Sequence, residues 1–175
     1  PKMAERLVLY LFKQDASKLK DFSESLNNLK NLKSCQKCFN ISEGDFCEIC
    51  KNHQRDQKVI CVVEDPLDVI SFERTGIYKG LYHVLGGVVI LNNAQPDLKI
   101  SELLERIKKE APREVILAAN PTTEGDATAL YLKSKLKNLN LKITRLARGM
   151  ATGGDIEYAD EITLSSALTN RRELK

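Results

Sequence analysis

The chain has 175 residues, 42% hydrophobic and 29% charged, with no tryptophan and a formal net charge of +3. That is a globular composition, long enough for one ordinary core or a small module plus one domain. No apolar stretch approaches the roughly 20 residues that span a bilayer, and no signal peptide is visible, so a soluble, cytoplasmic chain is expected. The charge excess sits in front: residues 1–58 hold 11 Lys/Arg against 8 Asp/Glu, and residues 59–175 hold 16 against 16. This is compatible with a nucleic-acid contact near the start but too small to establish one.

Residues 2–13 read as a helix, with Met3, Leu7, Val8, Leu11 and Phe12 on one face. Lys2 and Arg6, four apart, share another face. The chain begins at Pro1, without a methionine and already inside this pattern, which predicts a segment missing from the front. Residues 17–32 read as a second helix, with Ser17 as N-cap and Leu19, Phe22, Leu26, Leu29 and Leu32 as its stripe. Two such helices cannot bury both stripes alone, so they pack on something else or on a second copy.

Next comes Cys35-x-x-Cys38, eight residues, then Cys47-x-x-Cys50. Each pair makes a tight knuckle that points two thiolates at one centre. Four thiolates suit tetrahedral Zn²⁺ and leave no open position, so the site is structural rather than catalytic. The competing readings are two disulfides or four free thiols. The fifth cysteine, Cys61, lies in the apolar run 59–63 and reads as a small core residue. His53 and His83 are lone histidines.

Residues 52–58 read as a linker. Beyond it, strands are expected at 59–63, 81–85, 114–119 and 141–146. Helices are expected from Asp65-Pro66 to Arg74, at 101–110 with Ser101 as cap, at 124–136 and at 160–170. Gly86-Gly87 turns into the apolar run 88–91, and Gln95-Pro96-Asp97 is loop. Alternating strands and helices over 59–146 indicate a three-layer α/β unit with a largely parallel sheet. Its carboxyl edge collects Glu64, Asp65, Asp68, Glu124 and Asp126, at the place where such sheets bind ligands.

A strand-end Glu followed about sixty residues later by a strand-end acidic pair is the layout of the Toprim domain, whose enzymes use a D-x-D pair for metal. Here the matching strand end is Asn120-Pro121-Thr122, so both carboxylates are missing. Mg²⁺ is not expected, nor is two-metal phosphoryl chemistry. Glu124 and Asp126 either hold a loosely bound ion or favour the helix N-terminus through its dipole. The glycine loop at 149–154 lacks G-K-[ST] and reads as a turn rather than a phosphate cradle.

The order of a basic helix, a four-cysteine module, a Toprim-like unit with Asn120-Pro121-Thr122-x-Glu124-Gly125, and a tail with Gly153-Gly154-x-Ile156-Glu157-Tyr158 closely resembles the RecR family of bacterial recombination mediators. The first residues look like the second half of that family's helix-hairpin-helix motif.

The resemblance implies four modules: a helical remnant at 1–33, a zinc finger at 34–57, a Toprim domain at 58–147 and a C-terminal oligomerisation segment at 148–175. It implies a DNA-binding assembly factor rather than an enzyme. Such a factor works with RecO and RecF to load RecA onto gapped single strands, as dimers and ring-like tetramers around DNA. Lys2 and Arg6 match the family's DNA-contacting positions. Glu64, Glu124 and Asp126 are the RecO-contact candidates. The implied setting is the bacterial cytoplasm, at the nucleoid. A Mg²⁺-dependent Toprim nuclease or topoisomerase-like enzyme is the rival, and an adaptor without DNA contact a second.

Overall fold

The computed structural model describes residues 2–90 and 98–173. Two helices open the chain, α1 (Lys2–Phe12) and α2 (Ala16–Asn28), and a 3-10 turn (Leu29–Asn31) extends the second. The cap of α2 is Asp15, not Ser17: its carboxylate accepts from the Lys18 amide at 3.0 Å. Asp reaches an N3 amide as readily as Ser, and here it stands one residue ahead of the helix.

The cysteine module follows as a two-strand ribbon, β1 (Lys33–Ser34) and β2 (Ile41–Ser42), and a single helical turn, α3 (Glu48–Lys51). Strand β3 (Asp56–Val63) starts earlier than expected and takes in residues 56–58 of the expected linker. The polar residues there are anchored: the Asp56 amide donates to the Lys79 carbonyl at 2.9 Å, and Arg55 pairs with Glu73 and donates to the Gly80 carbonyl at 3.0 Å.

Helix α4 (Pro66–Arg74) begins with a reciprocal capping box between Asp65 and Asp68. Strand β4 (Gly80–Val84) follows, and α5 (Ile100–Glu110) starts at Lys99 without the side-chain cap expected of Ser101. The Leu91 end of the 88–91 run and the Gln95-Pro96-Asp97 loop lie outside the described residues. Strand β5 (Glu114–Leu117), helix α6 (Thr123–Leu136), strand β6 (Lys142–Arg145) and helix α7 (Glu161–Thr169) complete the order.

The main sheet is parallel throughout, in the order β4-β3-β5-β6. One face carries α5 and α6: Ile60, Val62, Val115 and Leu117 meet Leu103, Ile107, Leu132 and Leu136 in the larger core. The other face is shared. Cys61, Val63, Tyr82 and Val84 pack on Val69 of α4 and on Phe39 and Ile49 of the cysteine module. Burial on both faces explains why β3 reads as an unbroken apolar run. From β3 the chain first winds outward to β4, then crosses back to β5 on the far side. The strand order therefore reverses between β3 and β5, and their carboxyl ends frame the crevice where such sheets place their sites.

Helices α1 and α2 have no buried residue. Met3 is 84% and Phe12 83% exposed, and Leu7, Val8, Phe22 and Leu26 are open as well.

Candidate functional site

The four knuckle sulfurs all lie within 4.8 Å of one another, and Cys35 and Cys38 are fully buried. The Cys38 and Cys47 sulfurs are 3.5 Å apart and none of the five cysteines is bridged. A disulfide needs ~2.05 Å, so that reading is excluded. Four sulfurs at ~2.3 Å from one tetrahedral ion would sit just under 4 Å apart, which this arrangement fits. The Cys47 amide donates to the Cys35 sulfur at 3.3 Å, which ties the second knuckle to the first. Hydrogen bonds from Cys38 and then Cys50 hold the Cys47 thiol far below its ordinary range. Three of the four cysteines are buried, and four thiolates this close repel one another unless a cation lies among them.

The module is joined to the sheet by a junction that spacing alone did not reveal. Edge strand β4 continues its hydrogen bonding into the first knuckle: the Val84 amide donates to the Cys38 carbonyl at 2.8 Å. Phe39, with a left-handed φ of 62°, turns its ring edge-on to His83 at 5.4 Å. Arg106 of α5 is buried and donates to the Tyr82 carbonyl at 2.7 Å and the Lys37 carbonyl at 3.4 Å, so one guanidinium ties strand to knuckle. Glu110 answers that charge and also pairs with Lys37 at 3.2 Å. His83 is fully buried, and its Nε2 meets the Lys99 carbonyl at 2.8 Å. Burial, with Arg106 nearby, pushes the imidazole down to about 4.

At the β3/β5 crevice, Glu64 is only 9% exposed. Its two oxygens accept from the Asn120 amide at 2.8 Å and from Asn120 Nδ2 at 2.6 Å. Asn120 is therefore a clamp on the glutamate rather than a metal donor. Thr122 caps α6, its hydroxyl accepting from the Gly125 amide at 3.0 Å. A Cβ on Gly125 would lie 2.1 Å from the Asn120 carbonyl oxygen, so the turn closes only with glycine. Each named residue of the Asn-Pro-Thr-x-Glu-Gly stretch except Pro121 and Glu124 thus has a structural task.

Glu124 points into solvent at the start of α6. Asp126 is held instead by Arg145 and by Arg148, the latter through Nη1 at 3.1 Å as well as Nη2. Hydrogen bonds from Arg148 and Arg145 pull its carboxyl down to about 2. Neither arginine was legible as its partner, because the contact spans 19 to 22 residues. Lys2 and Arg6 are exposed on α1 and form no ion pair among the described residues.

A doubly covered parallel sheet with a clamped strand-end glutamate, and a four-cysteine module bolted to its edge strand, defines a zinc-bearing Toprim protein. Family models agree: a Toprim domain matches residues 58–147, a RecR four-cysteine zinc finger domain 32–52 and a RecR C-terminal region 149–172. The chain is 46% identical to the recombination protein RecR of Rubrobacter xylanophilus, over 99% of this chain and 89% of that protein. It is 49% identical to the RecR of Chloroflexus aurantiacus (99% and 87%) and 48% identical to that of a Roseiflexus species (99% and 86%).

The chain belongs to the RecR family of recombination proteins, and its role lies in recombinational DNA repair. The four cysteines form its one structural zinc site.

Proposed function

We propose that the chain is a non-catalytic DNA-binding assembly factor. It acts with RecO and RecF to promote RecA loading onto gapped or single-stranded DNA, as a self-associated ring-like clamp in the bacterial cytoplasm. The observation that carries this reading is the state of α1 and α2. Their apolar stripes are exposed, Phe12 by 83%, while Lys2 and Arg6 on another face of α1 are free. Exposed stripes of this size mark an interaction surface, and unpaired cations beside it can neutralise phosphates without reading sequence.

Residues 1–33 then serve as a helix-hairpin-helix remnant for assembly and DNA contact. Residues 34–57 are the zinc finger, 58–147 the Toprim unit, and 148–175 a second oligomerisation segment. At the acidic edge Glu124 is the exposed candidate for RecO, while Glu64 and Asp126 shape the edge from within. Against the rival enzyme stands the clamp: a general acid–base glutamate needs a carboxylate free to exchange protons with a substrate. Both oxygens of Glu64 are engaged by Asn120.

A Lys2→Ala/Arg6→Ala double variant should bind single-stranded DNA more weakly and with a shallower salt dependence than the wild type. Unchanged affinity and slope would reject the contact. DNA cleavage with Mg²⁺, abolished by Glu64→Ala, would favour the enzyme.

A further inference from the structure

The two edges of the sheet carry opposite charge. The carboxyl edge holds Glu64, Asp65, Asp68, Glu124 and Asp126. At the amino edge, three adjacent strands place a cation side by side: Lys58 early in β3, Arg113 just before β5 and Lys142 at the start of β6. The Arg113 amide donates to the Lys58 carbonyl at 2.8 Å, and the Lys142 amide to the Arg113 carbonyl at 2.9 Å. Strands lie ~4.8 Å apart, so this row spans roughly 10 Å. Above it, on one face, end α5 with Lys108 and Lys109 and α6 with Lys133, Lys135 and, just beyond, Lys137. All eight residues are exposed.

The carboxylates of this edge are already engaged. Asp56 pairs with Arg113 at 2.6 Å, Glu110 with Lys37 and Arg106 at 3.2 Å each, and Glu114 accepts from the Thr144 hydroxyl at 2.7 Å. Lys108, Lys109, Lys133 and Lys137 have no ion-pair partner among the described residues, and Glu105, one turn back on α5, pairs with neither neighbour. The stretch 127–144 contains four Lys/Arg and no Asp or Glu.

An ordinary solvated surface intersperses both signs. Cations in a last helical turn favour the helix dipole. Lys58 shares that task by donating to the Glu110 and Ala111 carbonyls at 2.9 and 3.2 Å, while Lys142 lies 3.9 Å from Glu114. The dipole does not call for Lys108, Lys109, Lys133 and Lys137 all to stand without a carboxylate partner. We propose that the amino edge of the sheet is a second nucleic-acid contact, holding phosphate backbone through Lys108, Lys109, Lys133 and Lys137. It rests on the DNA-binding reading and adds a surface remote in sequence from Lys2 and Arg6. Flexible lysines from separate elements suit a uniform row of phosphates. An acidic peptide would be gripped by side-chain pockets or by arginine forks.

The test is a Lys108→Gln/Lys109→Gln/Lys133→Gln/Lys137→Gln variant of the full zinc-loaded chain. Its affinity for single-stranded and duplex DNA is measured by fluorescence anisotropy across a salt series, beside a Lys51→Gln/Arg74→Gln control. Each lost phosphate contact removes ~0.7 to 0.9 from the slope of log affinity against log salt. The quadruple variant should lose two or more slope units and at least about tenfold in low-salt affinity, with circular dichroism and zinc content unchanged. The control should match the wild type. A wild-type slope in the quadruple variant, or an equal loss in the control, would overturn the proposal. Failure of the wild type itself to bind DNA would overturn the DNA-binding reading with it.

Discussion

The zinc module and the N-terminal helix pair sit side by side in sequence and are held in opposite ways. Helices α1 and α2 are rich in leucine, yet none of their residues is fully buried within this chain. The module has few apolar side chains, yet Cys35 and Cys38 are fully buried and Phe39 and Ile49 enter the sheet's second core. Apolar content therefore does not decide which segment is integrated. The module is integrated by a metal-ligating cage, a shared backbone hydrogen bond and a buried arginine. The helix pair carries the driving force for burial without an internal surface to receive it, so in the proposed assembly a second copy supplies that surface.

Breaking the cage should have the largest effect. Cys38→Ser removes one of four ligands, and structural zinc contributes ~10 kcal/mol or more to folding of such modules. Zinc should be lost, the thermal midpoint should fall by more than about 10 °C, and hydrogen exchange should accelerate at the Val84 amide. A variant that keeps wild-type protection there without zinc would show that the module is held by the sheet alone.

Arg106→Met tests the arginine separately. It keeps the buried stem but leaves the Tyr82 and Lys37 carbonyls without the guanidinium and Glu110 with Lys37 alone, at a cost of about 3 kcal/mol. Calorimetry should find that loss with zinc content intact.

The histidine at the same junction makes a pH prediction. His83 is about 4 when folded against 6.5 ordinarily, chiefly through burial. The unfolded chain thus binds the extra proton first. Stability is complete above pH 6.5 and declines as pH falls from 6.5 toward 4, by about 3 kcal/mol at the lower limit. A His83→Asn variant should lack this component when both proteins are unfolded by urea at pH 7 and pH 5. Equal pH dependence would place the imidazole in contact with water.

The smallest effect on the folded chain should come from α1. Phe12→Glu changes an exposed side chain, so monomer stability should move by less than about 0.5 kcal/mol, although assembly should weaken strongly. Analytical ultracentrifugation across a concentration series checks this, and a large loss of monomer stability would mean that the stripe is internal core.

The parts that sequence disclosed are those with short-range causes. Two knuckles at fixed spacing disclosed the zinc site, the Asp65-Pro66 start disclosed α4, and unbroken apolar runs disclosed the buried strands. What was hidden depends on contacts between distant residues. Lys37 and Arg106 meet across 69 positions, Glu64 and Asn120 across 56. No periodicity marks an arginine as buried or an asparagine as a clamp. Asn120 was legible only as the absence of a metal-binding aspartate, and its actual role follows from the crossover that sets β5 beside β3. The polar stretch before β3 looked like a linker because its anchors, Glu73 and Lys79, come later in the chain.

In the proposed assembly α1 and α2 are an interface rather than a loose end. Native mass spectrometry of the zinc-loaded chain tests it most directly. Particles should appear at multiples of the 19.7 kDa chain, reduced to single chains by Phe12→Glu. A wild-type chain that stays single at micromolar concentration, with α1 and α2 still helical, would contradict it.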